Sequence, residues 1–136
     1  MPSTLSLDAA QRIAHSSLAR AAEMQVAVAV VVVDTGGHPV VSLRTDGATF
    51  LHARIAAQKA VTSAGTGGPT AALVEALGEM PALLAGLSSQ PDIAVIPGGL
   101  PLLVDGELVG GLGVSGGPGG EDVPIAEAGA ASLRTA

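Results

Sequence analysis

Between Ser6 and Met24 the apolar residues Ala10, Ile13, Ala14, Leu18 and Ala21 recur every three or four positions, with Asp8, Gln11, Arg12 and Arg20 mainly on other faces. That spacing predicts an amphipathic helix. Ser6 suits its N-cap, and Asp8 suits the positive end of the helix dipole. The next run, Val26 to Val33, is rich in β-branched residues and continuous rather than alternating, as expected of a central strand buried on both faces. Asp34-Thr35-Gly36-Gly37 then supplies residues that tolerate positive φ, so His38 to Leu43 is expected to return as the second arm of a hairpin. Thr49 caps an Ala-rich helix to about Ser63, ended by Thr66-Gly67-Gly68-Pro69. A further helical stretch, Thr70 to Leu87, is broken near Gly78 and Pro81.

Ile93 to Ile96 reads as a short strand. Leu100 to Val104 leads into Asp105-Gly106, a strong two-residue hairpin signal, and Glu107 to Val114 returns as the last strand. A glycine-rich loop, Ser115 to Gly120, precedes a C-terminal helix from about Glu121 to Leu133. Two hairpins with flanking helices predict an α+β fold, an antiparallel sheet covered by helices in a single domain spanning residues 1–136.

Composition narrows the function classes. The chain has 136 residues and no Cys, so disulfides, thiolate metal sites and cysteine nucleophiles are excluded. Its formal net charge is -6 with no basic cluster, which argues against a nucleic-acid partner. Phe50 is the only Phe, Tyr or Trp, so there is no aromatic platform for bases or sugars. Mean hydropathy is +0.53, yet the longest apolar run is too short to span a bilayer. No basic segment precedes an apolar one near Met1, so no secretory signal and no membrane partner are expected, and the reading is cytoplasmic. High Ala and Val with few charges predicts that part of the outer surface is covered in a homo-oligomer.

Polar residues inside apolar segments are the candidates for chemistry. Free amides around Ser115 and Gly116, where a strand meets a helix, can receive a carboxylate or phosphate, or can simply form a turn. Gly113-x-Ser115-x-Gly117 matches a nucleophile-elbow pattern, but no His follows it, which removes the hydrolase reading. His15, His38 and His52 lack metal-site spacing, although one imidazole is enough for an axial haem ligand. Lys59, the only lysine, shares a helix face with His52. It either anchors an anionic ligand, acts as an acid or base, or forms an ion pair with Asp34, Asp46 or a carboxylate of the C-terminal helix.

Val32-Val33-Asp34-Thr35-Gly36-Gly37-His38, Arg44-Thr45-Asp46-Gly47-Ala48, Ala56-x-x-Lys59-Ala60-x-Thr62, Gly98-Gly99-Leu100-Pro101 and Gly110 to Gly117, followed by Asp122 and Ala126-x-x-Gly129, together resemble the GlcG/HbpS family of haem-binding and haem-degrading-domain proteins. The same family supplies the C-terminal domain of PduO-type corrinoid adenosyltransferases. The resemblance covers about residues 5 to 133 and implies a profilin-like, five-stranded antiparallel sheet, a homo-oligomer, and haem or another tetrapyrrole as ligand with an accessory redox or sensing role. It further implies a first-helix histidine as the iron ligand, for which His15 is nearest. Thr45 stands where the family commonly has Met, and Gly120-Glu121-Asp122 where it has Glu-Gln-Asp.

Two functional readings follow. In the first, a groove holds haem with His15 or His52 as ligand, Arg44 or Lys59 on the propionates, and Gly98, Gly99, Ser115 and Gly116 lining it. In the second, the same groove holds a small acidic or carbonyl metabolite, and His52, Lys59, Glu121 and Asp122 perform cofactor-independent lyase or isomerase chemistry.

Overall fold

In the computed structural model, which describes residues 4–134, Ser6 Oγ accepts from the Ala9 amide at 3.1 Å and opens α1 (Leu7–Met24). Gln25 closes it in the left-handed conformation. The chain continues through β1 (Ala29–Val33), β2 (Pro39–Arg44), α2 (Phe50–Thr66), α3 (Thr70–Leu77), α4 (Pro81–Ser88), β3 (Gly99–Val104), β4 (Glu107–Ser115) and α5 (Asp122–Arg134). The break between α3 and α4 falls where Gly78 and Pro81 predict it, with Pro81 at the first position of α4, where its missing N–H costs nothing.

The sheet is antiparallel in the order β2-β1-β4-β3. Every residue of the central β1 is buried, as its unbroken apolar run requires. Helices cover both faces. Val28, Val30 and Val32 pack with Leu112, Val114 and Ile125 against Ala10, Ile13 and Ala14 of α1, while Ala29, Val31 and Val33 meet Ala56, Ala60 and Ala64 of α2. Each such buried valine contributes on the order of 1.5–3 kcal/mol of transfer free energy. Glycines let α2 lie directly on β4, because a Cβ on Gly111 or Gly113 would strike the carbonyl of Ala60 or Ala56. On the other face, Ser17 Oγ donates to the Ile125 carbonyl at 2.8 Å and ties α1 to α5.

The architecture is therefore α+β with five helices and four strands, one strand fewer than the sequence predicts. Ile93 to Ile96 does not join the sheet, and the reason is visible at its would-be neighbour. Flanked by Pro91 and Pro97, the segment is held to α2 instead: the Ala94 amide donates to Thr62 Oγ1 at 2.9 Å. The free edge of β3 is also blunted. The Gly99 amide turns from β4 to Thr70 Oγ1 at 2.9 Å, and Pro101, two residues along the same edge, has no N–H to offer.

No helix among the described residues is long and apolar enough to cross a membrane.

Candidate functional site

The end of the sheet where β1 begins gathers most of the polar residues that the sequence singles out. Arg44 and Ser115 are both register partners of Ala29, so they stand one strand to either side of it, roughly 10 Å apart. Arg44 is exposed and Ser115 buried. Gly116 follows with φ of 136°, a conformation set by the close approach of the Ala27 carbonyl.

Lys59 projects from α2 into this end and is the largest fully buried side chain of the molecule, 1% exposed. Its ammonium donates to the Val114 carbonyl at 2.7 Å and to Asp122 Oδ2 at 3.1 Å. The other carboxylate oxygen, Asp122 Oδ1, accepts from the Gly117 amide at 2.8 Å. One ion pair thus joins α2, the end of β4, the glycine loop and the first turn of α5. Burial pushes the Lys59 pKa below the ordinary lysine value, and the charge and hydrogen bond of Asp122 pull it back up only in part. The chain's own acids also fill the glycine loop, since Glu121 Oε1 accepts from the Gly119 amide at 2.6 Å. Two amides of the loop, Gly117 and Gly119, thus already have internal partners.

The histidines are dispersed. His52 sits in the first turn of α2, where its Nδ1 accepts from the Thr49 amide at 3.1 Å; the neutral ring therefore carries its proton on Nε2. It lies about 10 Å along the helix from Lys59. His38 follows the β1–β2 turn, exposed, its Nδ1 3.4 Å from Asp34 Oδ1. His15 lies on α1, across the sheet from α2, so the groove that was to hold both His15 and Lys59 is not formed within one chain. Its ring is exposed and makes no hydrogen bond or ion pair among the described residues.

Four hollows lined by described residues complete the picture. One of about 550 Å³ flanks the β3–β4 turn between Pro101 and Leu133. A second, about 300 Å³, lies beside His38, Asp34 and Leu5. The third, about 280 Å³, is walled by the start of α3, Gly98 to Leu100 and the start of α5. Gly98 lines this third hollow and abuts the Lys59–Asp122 pair, since a Cβ there would lie 2.9 Å from Lys59 Nζ. A fourth hollow, about 390 Å³, runs between Gly67 and Ala130 and shares Pro69, Leu100 and Glu127 with the third.

Sequence reasoning identified Lys59 and placed its partner among three alternatives, of which the C-terminal helix is the one formed. It missed Ser17, Thr62 and Thr70, whose buried hydroxyls hold α1 to α5 and the 90s segment and β3 to the α2–α3 layer. Their signal was available as hydroxyl residues at otherwise apolar helix positions, which require a partner when buried.

Comparison with known proteins adds an independent line. The family model described as "Haem degrading protein HbpS-like" matches residues 5–131. A 15.0 kDa protein of the dhaT–dhaS intergenic region of Citrobacter freundii is 35% identical over 126 residues, covering 91% of this chain and 88% of that one. The corrinoid adenosyltransferase PduO of Citrobacter freundii is 33% identical over 96% of this chain, which spans only 39% of PduO. Among solved structures, a PduOC:heme complex superposes with a TM-score of 0.85 at 30% identity, covering 96% of this chain and 95% of that one.

Proposed function

The chain belongs to the HbpS-like family, and from that premise we propose that it is an oligomeric haem- or tetrapyrrole-binding domain with an accessory redox or sensing role. The observation that carries the reading is the state of His15. An axial ligand must present a ring nitrogen with a free lone pair. His15 is exposed and makes no hydrogen bond or ion pair among the described residues, whereas His52 spends its Nδ1 lone pair on a helix cap. His38, whose Nδ1 faces Asp34, keeps Nε2 open but stands at the β1–β2 turn and not on α1, where the family resemblance puts the ligand. The residues present therefore fit iron ligation from the open face of α1. Haem bound there supplies a redox-active iron. Leu18 and the exposed Leu7 on α1 offer apolar contact near the ring, and the rest of the enclosure comes from a second copy of the chain.

The outer surface of the α2–α4 layer supports association. Between Ile55 and Pro91 the only charged residues are Lys59, which is buried, Glu75 and Glu79. No residue of α4 is buried, and Phe50, Leu51, Met80, Leu83 and Ile96 are exposed apolar groups in or beside this layer. Arg54, over the Phe50 ring, and Asp92 add charges at its margins, and such a largely apolar face fits burial against another copy. The acid–base alternative receives less support, because Lys59 and Asp122 neutralise each other under Gly98 and none of His52, Lys59, Glu121 and Asp122 lines the four hollows.

A haem titration of the purified protein followed at the Soret band tests the reading. A saturable shift is expected in wild type and in His52→Ala, and its loss in His15→Ala. An unaltered titration in His15→Ala removes the proposed ligand, and a featureless, non-saturating absorbance in wild type removes haem. Light scattering on the eluting protein checks the oligomer.

A further inference from the structure

The 280 Å³ hollow beside Gly98 has a chemistry of its own. Its wall is made of Pro69, Ala71 and Ala72 at the start of α3, Gly98 to Leu100 at the start of β3, and Val123 and Ala126 of α5. Those groups are small and apolar. Two carboxylates reach it from different helices, Glu75 of α3 and Glu127 of α5, both exposed and neither in an ion pair among the described residues.

The other charges nearby do not reverse that sign. Lys59 behind Gly98 is matched by Asp122. The two helix N-termini at the back wall carry roughly +0.5 each, together about half of the charge on the two rim carboxylates. Two full negative charges at the rim therefore dominate, and an anion is repelled. A metal ion is poorly served too, since the lining is mainly hydrocarbon and no group of three His, Asp or Glu side chains is disposed to hold one among the described residues. Near the lower end of the usual ~300–1,000 Å³ for ligand pockets, the space suits a small molecule and not a porphyrin.

We infer that this hollow binds a small organic cation, a short primary alkylammonium whose chain lies on Ala71, Leu100, Val123 and Ala126 and whose charge is met by Glu75 and Glu127. The site stands apart from the haem reading: none of its lining residues belongs to α1, which carries His15. Removing both carboxylates leaves an apolar cleft with no preference for a cation.

The test is a titration of n-butylammonium chloride into 15N-labelled protein at fixed ionic strength, with 1-butanol and sodium butyrate as matched probes. Saturable shifts of the Ala72, Gly98, Gly99 and Leu100 amides are expected with butylammonium and none with butyrate. In the Glu75→Gln/Glu127→Gln double variant the affinity is expected to fall about five- to tenfold, the scale of two partly solvated ion pairs. Both positions are exposed, so the variant keeps the fold, which its circular dichroism confirms. Equal binding of 1-butanol, an unchanged affinity in the double variant, or no saturable shift at those amides each overturns the proposal. Haem binding in the Soret assay has no bearing on any of these outcomes.

Discussion

Asp122 and Asp34 do nearly the same thing in opposite surroundings. Each accepts from backbone amides of a glycine-containing turn and faces a cationic or potentially cationic side chain: Asp122 takes Gly117 and Lys59, while Asp34 takes Gly36 at 2.9 Å, His38 at 3.0 Å and sits near the His38 ring. The first pair is enclosed, Lys59 at 1% exposure and the Asp122 side chain at 13%. The second is open, with His38 at 81% and Asp34 at 43%. Water screens the open pair and replaces whatever it loses. In the enclosed pair each partner is the only opposite charge that meets the other among the described residues, so the same chemistry becomes a structural necessity.

The sharpest way to break the contrast is to remove one enclosed partner. Lys59→Met keeps the aliphatic stem but leaves Asp122 charged and unpaired, and is expected to cost about 3–5 kcal/mol, a large share of a stability of roughly 5–15 kcal/mol. Urea unfolding monitored by circular dichroism reads it directly. Adding Asp122→Asn, which removes the stranded charge and keeps an oxygen for the Gly117 amide, is expected to recover most of that loss. A double variant no more stable than Lys59→Met would show that the pair matters through packing and not through charge.

Next in size is the pH dependence. Burial lowers the Lys59 pKa from the ordinary lysine value of 10.5, so above the folded value the unfolded chain binds a proton that the folded chain has released. Stability then rises with pH through that window up to about 10.5. Denaturant midpoints of wild type are expected to climb there relative to Lys59→Met, and parallel curves for the two proteins would remove Lys59 as the source.

The open pair gives the smallest effect. Asp34 is held below its usual 3.8 chiefly by the His38 backbone amide, with burial opposing and the Gly36 amide and His38 ring assisting. A depressed carboxylate contributes stability above its unfolded pKa and loses it as pH falls through the folded one. Asp34→Asn is therefore expected to flatten the acid limb of thermal unfolding slightly below pH 3.8, with less effect at neutral pH than any change at Lys59. A loss equal to that of Lys59→Met would erase the distinction between the two sites.

The same logic explains what could be read in advance. The central strand was legible because an unbroken valine run has only one environment that satisfies it. Ser6, Asp105-Gly106 and the Gly78/Pro81 break were legible because local backbone rules decide them without reference to the rest of the chain. Lys59 stood out as the sole lysine within an Ala-rich helix. Ile93 to Ile96 misled because its apolar β-branched residues satisfy strand propensity, while the deciding facts were distant: Thr62 takes the Ala94 amide, and Thr70 and Pro101 close the β3 edge.

By itself, then, the amino-acid order determined the helices and the four paired strands, most of their caps and turns, which faces are apolar, and that one lysine in an Ala-rich helix needs a partner, whether a carboxylate of the chain or a bound anion. Those properties depend on neighbours within a few positions or on composition alone. Only the tertiary structure decided that the carboxylate is Asp122, that His15 lies across the sheet from Lys59 and His52, that the sheet stops at four strands, and that Glu75 and Glu127 share a hollow. Each of these joins residues from separate elements, and such meetings depend on how helices seat on the sheet, here on the glycines of β4 that let α2 come close.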